Sequence, residues 1–215
     1  MEIISVNEIM KSASDFGLAL AIIFFIFQAG FFISTLIKLW KLSDFFPQIP
    51  NYSIIKTDRG HSIVNVDKRK YPRLFNLIKD LNEYIGKTRG TTDFAIIQNK
   101  TERELNTLIE EATSKVTFPT YFGLMGTFAG VFLGLYLFNK GIAQDGTNLP
   151  IYQLISGVLV SMSTSFIGLL LTTINNGFSS YVNKQIDDRK NLFYDFLQNE
   201  LMPTLDTSMV VALNK

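Results

Sequence analysis

The sequence predicts an all-α integral membrane protein, with three transmembrane helices and cytoplasmic helical extensions that join an oligomeric helix bundle. Three observations carry that expectation. Residues 16–37, 116–139 and 146–183 hold no charged side chain, and each run, at about 1.5 Å per residue as a helix, is long enough to cross a hydrocarbon core of roughly 30 Å. Fourteen of the twenty Lys and Arg residues fall between positions 38 and 115, which places that segment in the cytoplasm under the positive-inside rule. The second run carries Gly123-Leu-Met-Gly126-Thr127-Phe-Ala-Gly130-Val-Phe-Leu-Gly134, a glycine ladder of the kind that lets membrane helices approach closely where lipid removes the hydrophobic drive.

Residues 1–15 form an extracytoplasmic amino terminus and 16–40 the first span. A secretory leader is not expected: the residues ahead of the apolar run hold Lys11 alone against Glu2, Glu8 and Asp15, whereas such a leader opens on a basic stretch. The cytoplasmic segment is 41–116, and its orientation rests mainly on the flanking Lys38, Lys41 and Lys115. Pro47 and Pro50 break the chain early. Ser53-Ile-Ile-Lys56 and Ser62-Ile-Val-Asn-Val66, on either side of Thr57-Asp-Arg-Gly60, read as a small hairpin. Leu74, Leu77, Ile78, Leu81 and Ile85 predict a helix from Tyr71, ended by Gly86 and Gly90. A second helix runs from Thr92 towards Lys115 on Ile96, Ile97, Leu105, Leu108 and Ile109, with merger into the second span despite Pro119 as an open alternative. These amphipathic helices need each other, the tail or another subunit to cover their apolar faces.

Residues 117–139 form the second span, 140–150 a short extracytoplasmic loop, 151–176 the third span and 177–215 a cytoplasmic helical tail. The third charge-free run exceeds one crossing, so its polar end after Thr173 belongs outside the lipid. Phe178, Val182, Ile186, Phe193, Phe196, Leu197 and Leu201 carry an apolar stripe onward until Pro203 stops the helix. That stripe either bundles with the other helices beneath the membrane or lies on its surface. Lys184, Arg189 and Lys190 return the tail to the cytoplasm, and Trp40, Tyr121, Tyr136 and Tyr181 suit interfacial belts.

Composition removes several function classes. The absence of cysteine excludes disulfide and thiolate chemistry and suits either side of a membrane. A net charge of +1 hides the asymmetry between segments, and the reading includes no nucleic-acid partner. With no metal-ligand cluster, no phosphate-cradling loop after a strand and no nucleophile beside a histidine, neither an enzyme nor a bound cofactor is expected.

Chemistry therefore falls to the spans. Along the third, Gly157, Ser161, Ser165, Gly168 and Thr172 recur at steps of three and four and share a face. Set against Thr127, that face either lines an ion path or serves close packing and interhelical hydrogen bonding. Hydroxyls can hand along an ion or water, but they do not titrate near neutral pH. The charge-free windows hold no Asp, Glu, Lys, Arg or His, and the single His61 lies in the cytoplasmic segment. Proton transport would need a carboxylate from a partner.

Gly123-Leu-Met-Gly126-Thr127-Phe-Ala-Gly130-Val resembles the Gly-Leu-x-Gly-Thr-x-x-Gly segment of the MotA/TolQ/ExbB proton-channel superfamily, and Thr164-Ser165-Phe-Ile-Gly168-Leu resembles its last helix. The likeness covers roughly 119–176, and the remainder matches in layout. Three spans with an outside amino terminus look like TolQ and ExbB more than four-span MotA. The Thr-Ser-x-x-Gly form also looks like ZorA, the motor subunit of Zorya anti-phage systems.

The resemblance implies a pentamer in the bacterial inner membrane, ringed around two single-span helices of a MotB-, ExbD- or ZorB-like partner whose membrane Asp carries protons. Ion flow would turn the ring about the partner; one charge crossing about 100 mV yields about 2.3 kcal/mol. Thr127 corresponds to the second-span pore threonine, and Thr164 or Ser165 to the last-span one, while the transported ion is H+ or Na+. Ser161 and Thr172 extend that path; Gly123, Gly126, Gly130, Gly134, Gly157 and Gly168 would pack the helices. The charge pattern by which flagellar MotA grips its rotor is not located here, nor is a long ZorA-type tail. The rival expectation is a membrane scaffold that conducts nothing.

Overall fold

A computed structural model describes the chain over residues 6–47, 52–56, 62–87, 93–142 and 149–205. Helix α1 spans Val6–Ser43, followed by strands β1 (Ser53–Lys56) and β2 (Ser62–Asn65), then α2 (Pro72–Lys87), α3 (Phe94–Thr113), α4 (Phe118–Ile142) and α5 (Leu149–Phe196), which ends in a π turn at Leu197–Leu201. Among the described residues, three stretches of helix are long and apolar enough to cross a membrane, which makes this a multi-pass membrane protein. The turn Thr57-Asp-Arg-Gly60, His61, Gly90, the centre of the 140–150 loop and the chain beyond Leu205 lie outside the described residues.

The chain divides into two compact units. One takes α1 as far as Ile37 together with Ser114–Phe178. Its burial pattern is the reverse of a water-soluble core. The buried side chains include Gln28, Thr35, Ser161, Thr164, Thr172 and Asn175, whereas Ile26, Phe128, Phe132 and Phe166 are each at least 65% exposed. Such an arrangement is stable only where the surrounding solvent is itself apolar. Stacked rings of Phe27 and Phe31 on Phe122 bind α1 to α4, with centroids 5.5 and 5.2 Å apart. Trp40, Tyr121, Tyr136 and Tyr181 are all exposed, as interfacial anchors would be.

The other unit, Lys38–Thr113 with the chain from Ser179 onward, has an ordinary apolar core. Leu39, Leu42, Phe46, Leu74, Ile78, Ile85, Ile97, Leu105, Ile186, Phe193, Leu197 and Leu201 are fully buried. The five residues that predicted α2 are the five it buries. Strands β1 and β2 pair antiparallel, Ser53 opposite Asn65 and Lys56 opposite Ser62, the one sheet among the described residues. Asn82 of α2 treats β2 as a further strand would: its Oδ1 accepts from the Val64 N–H at 2.9 Å and its Nδ2 donates to the Val64 carbonyl at 2.7 Å. Arg189 of α5 donates to the Ser43 carbonyl at 2.6 Å, setting a cation at the carboxyl end of α1, where the helix dipole favours it.

The amphipathic helices cover one another and the tail. Tyr194 of α5 donates to the Gln98 carbonyl of α3 at 3.4 Å, and Lys190 pairs with Glu102 at 3.6 Å. Burial acts to lower the Lys190 ammonium pKa, but Asp187 and Glu102 outweigh it and raise the net value.

One boundary differs from expectation, one falls between the glycines expected to end it, and one decides an open alternative. Helix α2 continues through Gly86 to Lys87, its last turn carrying the Glu83–Lys87 ion pair. Helices α3 and α4 do not merge: a turn at 114–117 separates them, and Pro119 sits in the first turn of α4, where its missing N–H costs nothing. The tail is not stopped by Pro203 but stays helical to Leu205. A π turn just ahead, in which the Met202 N–H reaches back to the Leu197 carbonyl, opens the helix where the proline ring would otherwise collide with the preceding turn.

Asn82→Ala leaves the Val64 backbone without its side-chain partners and is expected to destabilise this unit by about 1–3 kcal/mol. Hydrogen exchange at the Val64 amide checks this. Faster exchange at Val64 than at the amides of α3 is the expected result.

Candidate functional site: a hydroxyl seam between two spans

Helices α4 and α5 run antiparallel and touch backbone to backbone. A Cβ placed on Gly130 would lie 2.9 Å from the Gly157 carbonyl, and one on Gly157 would lie 2.6 Å from the Gly134 Cα. Gly126 makes room for Thr164, whose Oγ1 a Cβ there would meet at 2.7 Å, and Gly123 faces the Thr164 carbonyl and the Ser165 Cα. Gly168 closes the end nearest Pro119. A Cβ at any of Gly123, Gly126, Gly130, Gly134, Gly157 and Gly168 would meet the other of these two helices.

Hydroxyls clasp the contact from both sides. Thr127 Oγ1 donates to the Gly123 and Ser161 carbonyls at 3.0 and 3.2 Å, and Ser161 Oγ donates to the Thr127 and Gly157 carbonyls at 3.0 and 2.8 Å. Thr164 Oγ1 donates to the Ser161 carbonyl at 3.0 Å, and Thr172 Oγ1 accepts from the Thr120 N–H at 3.1 Å. Each hydroxyl has one proton. Those of Thr127, Ser161 and Thr164 are committed to carbonyls, so their oxygens retain only lone pairs to offer.

The buried column of α5 is Gly157, Ser161, Thr164, Gly168, Thr172 and Asn175. Ser165, expected in that column, stands at its edge, half-buried, and its hydroxyl makes no hydrogen bond among the described residues. The reason is angular. Thr164 follows Ser161 by three residues and precedes Gly168 by four, which centres it on the seam that Gly126 hollows out.

Helix α1 covers one flank of the seam. It meets Phe122 of α4 through its stacked rings and Val160 of α5 at Gly17. Thr127 lies five residues beyond Phe122, and Ser165 five beyond Val160, so each is turned about 140° from the α1 contact. Both half-buried hydroxyls therefore fall on the flank that α1 leaves open.

Two buried amides complete this site. Gln28 of α1 is fully buried and donates through Nε2 to the Thr164 carbonyl at 3.0 Å, while its Oε1 has no partner among the described residues. Its amide nestles where Gly123 and Gly168 lack side chains. Its signal in the sequence is an amide at the middle of an otherwise greasy span. Asn175 is also fully buried, and neither its Oδ1 nor its Nδ2 has a partner among the described residues. Such a group costs about 1–3 kcal/mol unless water reaches it.

Compared with protein-family models, curated proteins and solved structures, the chain matches none.

Gly130→Ala should force α4 and α5 apart at Ser161 and Gly157 and destabilise the fold by about 1–3 kcal/mol. Gln28→Leu, which removes a single interhelical hydrogen bond, should cost about 0.6 kcal/mol and at most about 1.7. Thermal or denaturant unfolding in detergent micelles tests the ranking, Gly130→Ala the more damaging of the two.

Proposed function

We propose that this chain is an ion-channel subunit, a stator or motor component that forms a ring around a MotB-, ExbD- or ZorB-like partner and converts an ion gradient into rotation. The observation that carries this reading is the open flank of the α4–α5 seam, where Thr127 and Ser165 stand half-buried and opposite the α1 contact. A foreign carboxylic acid on that flank would meet lone pairs on Thr127, whose proton is already committed, and a donor or acceptor on Ser165. The acid must be foreign because the three charge-free windows supply none. Five copies around two partner helices, the amino terminus outside and the carboxyl terminus in the cytoplasm of a bacterial inner membrane, complete the proposal. Anti-phage defence or energising of the cell envelope is the process it would drive, on H+ or Na+.

A second reading has its own support. Ser161, Thr164 and Thr172 are buried within the chain's own seam, which favours a non-conducting scaffold that assembles partner proteins. One experiment separates the two. The complex is purified with the product of a neighbouring gene that encodes one membrane helix bearing an Asp, then placed in liposomes with a pH-sensitive dye and an imposed proton gradient. The motor reading expects flux that falls at least about tenfold in Thr127→Val and in Ser165→Ala, equivalent to the loss of about 1.4 kcal/mol, while the complex stays intact. No flux in any of the three with either ion would leave the scaffold, whereas equal flux in all three would remove Thr127 and Ser165 from the path.

A further inference from the structure

The second unit holds, at the end of the first apolar span, a cavity of about 250 Å³ lined by Lys41, Asp44, Phe45, Lys70, Tyr71, Pro72 and Arg73. Three cations and one carboxylate surround it. None of Lys41, Lys70 and Arg73 forms an ion pair among the described residues. Three cations against the single carboxylate of Asp44 leave the lining net positive, a field that favours an anion. The helix end contributes little: Pro72 has no N–H, and the Phe75 N–H is bonded to the Tyr71 carbonyl. Side-chain charge makes the site.

We propose that this cavity binds a phosphate ester, with Lys41, Lys70 and Arg73 as its ligands. Arg73 brings a planar fork of donors that suits phosphate oxygens, and the lysines bring point charges. The floor is apolar at Phe45, 3% exposed, and Lys70 is steadied over the Tyr71 ring, 5.4 Å from its centroid. Position favours an anionic phospholipid headgroup as the source. Lys41 belongs to the apolar span Gly17–Ser43 itself, one residue beyond the exposed Trp40, at the level where interfacial residues meet headgroups. Asp44 sets a limit on the charge the site tolerates and should weaken anion binding. The proposal is independent of any ring, partner or ion path.

The test uses the full chain in a neutral detergent, titrated separately with phosphatidylglycerol, phosphatidylcholine and glycerol phosphate, with bound ligand counted by native mass spectrometry. Saturable binding of phosphatidylglycerol over phosphatidylcholine identifies a lipid source, and saturable binding of glycerol phosphate a soluble one. In either arm, each cation removed should weaken binding about fivefold, and Lys70→Gln with Arg73→Gln together about thirtyfold. Asp44→Asn should tighten it. Lys79→Gln, an exposed lysine elsewhere on α2, should change nothing. The proposal is overturned if neither phosphate compound binds saturably, if Lys79→Gln weakens binding as much as the cavity variants do, or if Asp44→Asn weakens it.

Discussion

The close approach of α4 to α5 is the constraint on which the membrane unit depends. In lipid, two apolar helices gain nothing from burying leucine against leucine, so association must come from backbone proximity and from hydrogen bonds that hydrocarbon cannot satisfy. Gly130, Gly134 and Gly157 provide the first and the reciprocal Thr127–Ser161 bonds the second. Each needs the other. Without the glycines the hydroxyls would not reach the opposite backbone, and without the hydroxyls the contact would have little directional preference. Gln28 then fixes the third helix to the same level by a bond to the Thr164 carbonyl.

Helix α5 shows how one element serves two solvents. Its buried column reads Gly157, Ser161, Thr164, Gly168, Thr172 and Asn175, then passes through Ser179 to Val182, Ile186 and Phe193. The spacing persists while the chemistry changes from small and polar to large and apolar. That change marks where the driving force passes from close packing in hydrocarbon to burial of apolar surface from water.

Much of this was legible in the sequence because charge and periodicity are strong signals. The charge-free runs located the spans, the spacing of Leu74 to Ile85 gave the buried face of α2, and paired β-branched segments gave the hairpin. What sequence did not resolve was finer than a helical turn. Thr164 and Ser165 are adjacent and chemically alike, and only the hollow at Gly126 decides which enters the seam. Gln28 was overlooked because one amide barely alters the hydropathy of a span, although burial makes it the link between three helices. Pro203 misled because a proline stops a regular α-helix, whereas a π turn lets the helix pass.

The proposed motor assigns different work to neighbouring hydroxyls: Ser161 and Thr164 hold the seam from within, Thr127 clasps it while keeping lone pairs toward its open flank, and Ser165 stands on that flank unbonded among the described residues. The most direct test is the structure of the assembled complex, determined by electron microscopy with the partner present. The account predicts five copies around two partner helices, with a partner carboxylate within hydrogen-bonding reach of Thr127 or Ser165. A ring of another number, or an open flank that faces acyl chains with no foreign acid near it, would contradict it.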